Sequence, residues 1–125
     1  MNGPQSMSRK QLGALGEQSA ETHLRSAGYT IVARNWRCRT GEIDIVAMDG
    51  QTLVFVEVRT RSGAFRFGTP QESVDARKQR QIMETSQIYL HQRGQHERQI
   101  RFDVISVYMN PAGELNQIEH IRWAF

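Results

Sequence analysis

Four ionisable side chains bracket one Asp-Gly pair: Glu42 and Asp44 before it, Glu57 and Arg59 after it. The flanking runs Ile43–Met48 and Leu53–Val58 are rich in β-branched and apolar residues, and Asp49-Gly50 between them is a strong hairpin signal. With Asp49 and Gly50 as the two central turn residues, Met48 pairs with Gln51, Phe55 faces Asp44 and Glu57 faces Glu42. Side chains alternate along a strand, so Glu42, Asp44, Glu57 and Arg59 then share one face. Ile43, Ile45, Val54, Val56 and Val58 share the other, which is expected to be the main core. Three carboxylates gathered in this way repel and raise one another's pKa. Two compensations are open. One is a divalent cation such as Mg²⁺, which takes one or two carboxylates together with water and substrate phosphate. The other is ion pairing with Arg59, Arg37 or Arg39. Both depend on strand parity, because a three-residue turn would place Asp44 and Glu57 on opposite faces.

The elements that must position these residues are legible around them. Ser8 and Gln11 have the spacing of a capping box, Leu12, Leu15, Ala20, Leu24 and Ala27 recur at helical intervals, and Gly28 ends the helix. A strand is expected over Tyr29–Trp36, followed by the hairpin. After an irregular stretch through Ser62, Gly63 and Gly68, Thr69-Pro70-Gln71-Glu72 reads as the opening of a second helix, with Thr as cap and Pro at the first helical position. Ile82, Met83, Ser86, Tyr89 and Leu90 form its inward stripe and Arg93-Gly94 its end. Ile100–Tyr108 is a fourth strand, Asn110–Gly113 a turn, and Leu115–Trp123 a fifth strand. The order α-β-β-β-α-β-β predicts an α/β fold, a mixed β-sheet flanked by helices.

The chain has 125 residues, one domain's worth. Residues 1–8 are expected to be a flexible tail and 9–125 a single domain. Hydrophobic residues at 38% and charged residues at 23% fit a globular protein rather than a disordered one. The single Cys38 rules out an internal disulfide framework and a Cys-rich zinc site. Its neighbours Arg37 and Arg39 could depress its pKa. There is no apolar run long enough to span a membrane, and the N-terminus lacks the apolar segment of a secretory signal, so a cytoplasmic protein with no membrane partner is expected. Of the 16 basic residues only Lys10 and Lys78 are Lys; the rest are Arg, which suits planar recognition of phosphate or carboxylate.

Gly41-Glu42-Ile43-Asp44, followed after the turn by Val56-Glu57-Val58-Arg59, resembles the PD-(D/E)XK nuclease signature. The whole chain from about Lys10 is similar to the small bacterial YraN-like family, grouped with archaeal Holliday-junction resolvases. Gly16-Glu17, Arg34-Asn35-Trp36-Arg37, Arg77-Lys78 and Arg101-Phe102-Asp103-Val104 carry the match elsewhere. The resemblance implies a restriction-endonuclease-like fold and a DNA endonuclease dependent on Mg²⁺ or Mn²⁺, with branched or junction DNA among its substrates and a homodimer by analogy. It implies that Asp44 and Glu57 are metal ligands, that Val58 offers its backbone carbonyl, and that Glu17 on the first helix is the third acid, with Glu21 as its substitute and Glu42 auxiliary. The departure is Arg59, where the signature has Lys. Arg does not deprotonate and so cannot act as a base, but it can hold the scissile phosphate. A non-catalytic nucleic-acid-binding module and a protein-interaction domain are the competing readings.

Arg37 and Arg39 beside the acids, Arg61 and Arg66 beyond the hairpin, and Arg77, Lys78 and Arg80 on the second helix form the candidate nucleic-acid-binding set. Phe65 and Phe67 alternate with Arg66 and suit either base contact or loop anchoring. Gln71 is an auxiliary candidate by analogy with nucleases of this fold. Asp103 is expected to pair with Arg101 or Arg122, and the four histidines show no metal spacing.

Overall fold

The structure, a computed structural model, describes residues 7–62 and 74–125. Ser8 opens helix α1 (Arg9–Ser26) with the expected capping box: the Ser8 hydroxyl accepts from the Gln11 N–H, and the Gln11 side chain accepts from the Ser8 N–H. At the other end Gly28 adopts φ +92°, and the Tyr29 and Gly28 N–H groups bond to the Leu24 and Arg25 carbonyls. This Schellman closure turns the chain sharply into the sheet. Met7, at the edge of the expected tail, donates its N–H to the Pro111 carbonyl and packs against the core.

Strands β1 (Thr30–Cys38), β2 (Gly41–Asp49) and β3 (Thr52–Ser62) form an antiparallel meander. Helix α2 (Ala76–Gln92) then crosses over to β4 (Ile100–Met109), which lies parallel to β3, and β5 (Leu115–Ile121) closes the far edge. The sheet order is β1-β2-β3-β4-β5, and the element order matches the expected α-β-β-β-α-β-β. Asp75 caps α2 by accepting from the Lys78 N–H. The Thr69–Glu72 opening expected for this helix lies outside the described residues, as do Arg66, Gln71, Phe65 and Phe67.

The hairpin register differs from the sequence expectation. Asp49 pairs with Thr52, so Gly50 and Gln51 are the central residues, and Gly50 alone takes a positive φ, +60°. Glycine at the first central position is the pattern of a type II′ turn, whereas the expected placement would have put Asp49 there. Val46 consequently faces Phe55 rather than Leu53, and neither Phe55–Asp44 nor Glu57–Glu42 is a facing pair. The slip is two residues, so strand parity survives.

The hairpin does not bury one face only. Ile45, Ala47, Val54 and Val56 pack under α1 with Leu12, Ala20 and Leu24. Val46, Leu53 and Phe55 form a second core under α2 with Ile82, Tyr89 and Leu90. The expected inward stripe of α2 holds except for Met83, which is exposed, and Thr85 is buried instead. Ile43, expected with Ile45, belongs to the α2-side core. Two residues apart in one strand yet on opposite faces, Ile43 and Ile45 mark a break in alternation at Asp44. The facing strand breaks alongside it: Arg34 pairs with Ile45 and Trp36 with Ile43, and Asn35 between them sits at φ +50°.

Two features hold the layers in place. Gly16 lets α1 lie directly on β3, since a Cβ there would sit 1.9 Å from the Thr60 hydroxyl oxygen. Beside the α1-side core, Asp103 is fully buried and fully bonded. It accepts from Arg101 at 2.8 and 3.0 Å, from His120 Nε2 at 2.8 Å and from the Trp123 N–H at 3.3 Å, and Arg101 also reaches Asp49 at 2.9 Å. Burial pushes the Asp103 carboxyl up, but the hydrogen bonds from His120 and Arg101 outweigh it and hold the group below its usual pKa. Of the two expected partners Arg101 takes the role, and the Arg122 guanidinium lies over the Tyr29 ring.

Gly16→Ala is expected to cost about 1–3 kcal/mol, as overpacking does, and to lower Tm in thermal unfolding. Arg101→Met is expected to cost about 3–5 kcal/mol, because it leaves Asp103 buried with an uncompensated charge. Urea unfolding measures it, and a loss below 1 kcal/mol would show that the network is not structural.

Candidate metal and nucleic-acid site

The β2–β3 pairing runs from Asp49↔Thr52 to Ile45↔Val56 and goes no further. Beyond it the Asp44 carboxylate accepts the Val58 N–H at 2.8 Å. A side chain thus replaces a ladder carbonyl where the two strands part. Asp44 is also hydrogen-bonded to Glu57, and its carboxyl is pushed up to about 9. Burial is the main cause, followed by the Glu57 hydrogen bond and the Glu57 and Glu17 charges; the Val58 N–H pulls the other way. The Asp44 carboxyl therefore holds its proton at neutral pH.

Glu17 projects from the middle of α1 toward the same place. Burial raises its pKa, with further contributions from Glu42 and Glu57, while Arg37 lowers it. The structure thus brings Asp44, Glu57, Glu17 and Glu42 into one acidic neighbourhood, but not by the shared strand face expected. Ile43 and Ile45 show that the alternation breaks at Asp44, so the convergence comes from the parting of two strands and from a helix.

The remaining acids are engaged. Glu42 is paired with Arg37. Glu21 accepts from Arg25 at 2.7 Å and from Arg34 at 2.6 Å, so two arginines hold it in place. Glu57 has Lys78 Nζ at 3.6 Å, reaching across from the first turn of α2. Lys78 belongs to the candidate nucleic-acid-binding set, and its position beside Glu57 is a contact that strand spacing does not indicate. Arg59 is half-buried two residues beyond Glu57, and Arg61 is half-buried further along β3. Arg39, Arg77 and Arg80 are exposed. Sequence reasoning missed Gln81, whose amide donates to the Thr40 carbonyl at 2.9 Å and fills the space over Gly41. Burial pushes the Cys38 thiol up, but hydrogen bonds involving Thr40 and Gly41 bring it below its ordinary value; the flanking arginines are not the cause.

Two cavities flank the acids. One, about 480 Å³, is lined by Glu17, Glu21, Arg25, Arg34, Asn35 and Asp44 among others. The other, about 470 Å³, is lined by Arg9, Gly13, Glu17, Val58, Thr60 and Arg61 among others. Glu17 borders both. Among the described residues no group of three or more His, Cys, Asp and Glu side chains is arranged to hold a metal ion. The hard-oxygen pair Asp44–Glu57 nevertheless fits Mg²⁺ or Mn²⁺, which needs only one or two carboxylates and completes its shell with water.

A mixed five-stranded sheet with a helix on each face is the fold class expected from the sequence. The chain belongs to the family described as "Uncharacterised protein family UPF0102", whose model matches residues 16–107. It is 46% identical to a UPF0102 protein of Moorella thermoacetica over 119 residues, covering 95% of this chain and 98% of the relative. A Nocardia farcinica relative is 48% identical over 117 residues, covering 94% and 91% of the two chains. One from Symbiobacterium thermophilum is 50% identical over 109 residues, covering 87% and 91%. Among the described residues no helix is long and apolar enough to cross a membrane.

The Asp44 shift has a definite sign. Its native pKa lies above the unfolded value, so between about 4 and 9 the native state binds a proton that the unfolded state does not, and stability falls as pH rises. In metal-free buffer, Asp44→Asn is expected to gain stability over wild type from pH 5 to pH 8, by at least about 1 kcal/mol, given the limit of ~1.4 kcal/mol per pH unit for one proton. Urea unfolding at the two pH values checks it; a difference independent of pH would refute the raised Asp44 pKa.

Proposed function

We propose that this chain is a Mg²⁺- or Mn²⁺-dependent DNA endonuclease, with branched DNA among its substrates. The observation that carries this reading is the hydrogen-bonded Asp44–Glu57 carboxyl pair, desolvated beside Glu17 and bordered by two Arg-lined cavities. Asp44, Glu57 and the Val58 carbonyl would hold the cation, with Glu17 the nearest further acid. Bound there, the cation would neutralise charge on the phosphate and make water a better nucleophile. Water attacks phosphorus in line, and the bond to the leaving oxygen breaks. Arg59 holds the scissile phosphate and steadies its developing charge, a role that needs no proton transfer.

Lys78 supplies an ammonium group to the site from α2, 3.6 Å from Glu57. The signature's strand lysine is absent at position 59, so Lys78 is the lysine available to orient the attacking water or the phosphate. A second reading has a specific support. Arg59 and the lack, among the described residues, of a three-ligand cluster favour a module that binds DNA without cutting it.

A cleavage panel of linear, flapped and four-way DNA with Mg²⁺ and Mn²⁺ separates the two. Wild type is expected to cut at least one substrate, Asp44→Asn to lose cutting by about a hundredfold or more, and Lys78→Met to cut at least about tenfold more slowly, on the scale of a lost charge-stabilising contact. Salt-dependent binding with no cutting by wild type would select the second reading.

A further inference from the structure

Helix α1 carries two interior glycines, Gly13 and Gly16, and only Gly16 is explained by packing. A Cβ at Gly16 would strike Thr60, whereas among the described residues a Cβ at Gly13 would meet nothing within 4 Å. Glycine inside a helix is entropically costly relative to alanine, and neither a close approach nor a positive φ requires it at position 13. What Gly13 does border is the cavity of about 470 Å³ that opens between α1 and β3.

That cavity is one of the two that meet at Glu17, and the charges of the two differ. The cavity on the β1 side is lined by Glu17, Glu21 and Asp44 against Arg25 and Arg34, both of which are bonded to Glu21. Among the described residues, the charged groups lining the cavity over Gly13 are Arg9, Arg61 and Glu17. Its far wall includes Val58, whose N–H is bonded to Asp44. Arg9, Gly13 and Glu17 follow one another at four-residue spacing, so they form one stripe of the helix leading from a cation, over a bare backbone, to the acids.

We propose that the cavity over Gly13 receives the phosphodiester backbone of the bound DNA strand on its way to the carboxylates. Arg9 and Arg61 flank the phosphates, and position 13 is kept without a side chain so that the strand can approach the helix. This rests on the nuclease reading for the identity of the ligand, and it adds the side from which the strand enters and a residue that controls its entry.

The test uses the full chain with Gly13→Ala and Gly13→Leu, a short labelled DNA duplex and its single strand at low salt in EDTA, and a separate Mn²⁺ titration. Both substitutions are expected to leave Tm unchanged or raise it by about 2–6 °C, as removal of an interior helix glycine does. Gly13→Leu is expected to weaken binding of at least one DNA form by about tenfold or more, with Gly13→Ala intermediate, while Mn²⁺ binding stays at the wild-type level. Arg9→Ala is expected to weaken DNA binding and flatten its salt dependence. A Gly13→Leu protein that binds both DNA forms like wild type overturns the proposal and leaves the nuclease reading standing. A Tm well below wild type for both Gly13 variants overturns it by showing that the space is not open. A wild type that binds neither DNA form overturns it together with the nuclease reading.

Discussion

Where β2 and β3 part, the Val58 N–H turns to a side chain, and that side chain is Asp44. The site depends on this substitution. A regular ladder would carry the two strands on in register and keep their side chains alternating. Here the pairing ends at Ile45↔Val56, and Ile43 crosses to the other core. The Asp44 carboxylate is drawn into the gap, where it meets Glu57. The same hydrogen bond that helps hold the carboxylate ionised also positions it where burial and Glu57 push its pKa up. The balance falls on the raised side, so Asp44 holds its proton at neutral pH.

The rest of the fold keeps that gap fixed. A parallel strand, β4, pairs with β3 along Leu53–Ser62 and passes beside Glu57 and Arg59, so β3 stays straight where β2 leaves it. Helix α1 approaches β3 closely because Gly16 has no side chain, and this brings Glu17 to the acids. Helix α2 packs on the opposite face through Ile82, Tyr89 and Leu90, and its first turn carries Lys78 to Glu57. At the other end of the sheet, the Arg101–Asp103–His120 network ties β4 to β5, and the Arg101 bond to Asp49 ties both to the hairpin turn.

On the proposed nuclease reading, this division accounts for Arg at position 59. Strand β3 supplies a permanent cation that can hold phosphate, and α2 supplies a compact ammonium group from a different direction. Arg and Lys are not equivalent in such a site, because only Lys can readily change protonation and only Arg offers the planar fork. Placing them on separate elements lets each keep its own role.

Much of this was readable without coordinates. The capping box at Ser8, the glycine at position 28, the two β-rich runs and the order of elements follow from local rules that act over a few residues. Strand parity is unchanged by the two-residue difference in hairpin register, yet Asp44 meets Glu57 where alternation breaks and the two strands part, not on a regular shared face. What spacing could not supply was anything that depends on a departure from regularity or on packing between distant segments: the broken alternation at Asn35 and Asp44, the crossing of Ile43 to the α2-side core, Glu21 held by Arg25 and Arg34, and Lys78 beside Glu57. The sequence by itself determined which residue types were present and which local elements would carry them, since caps, turns and periodicity are short-range physics. Only the tertiary structure decided which charges meet, because that is set by where strands separate and how closely helices approach, and neither is encoded in the spacing of any one segment.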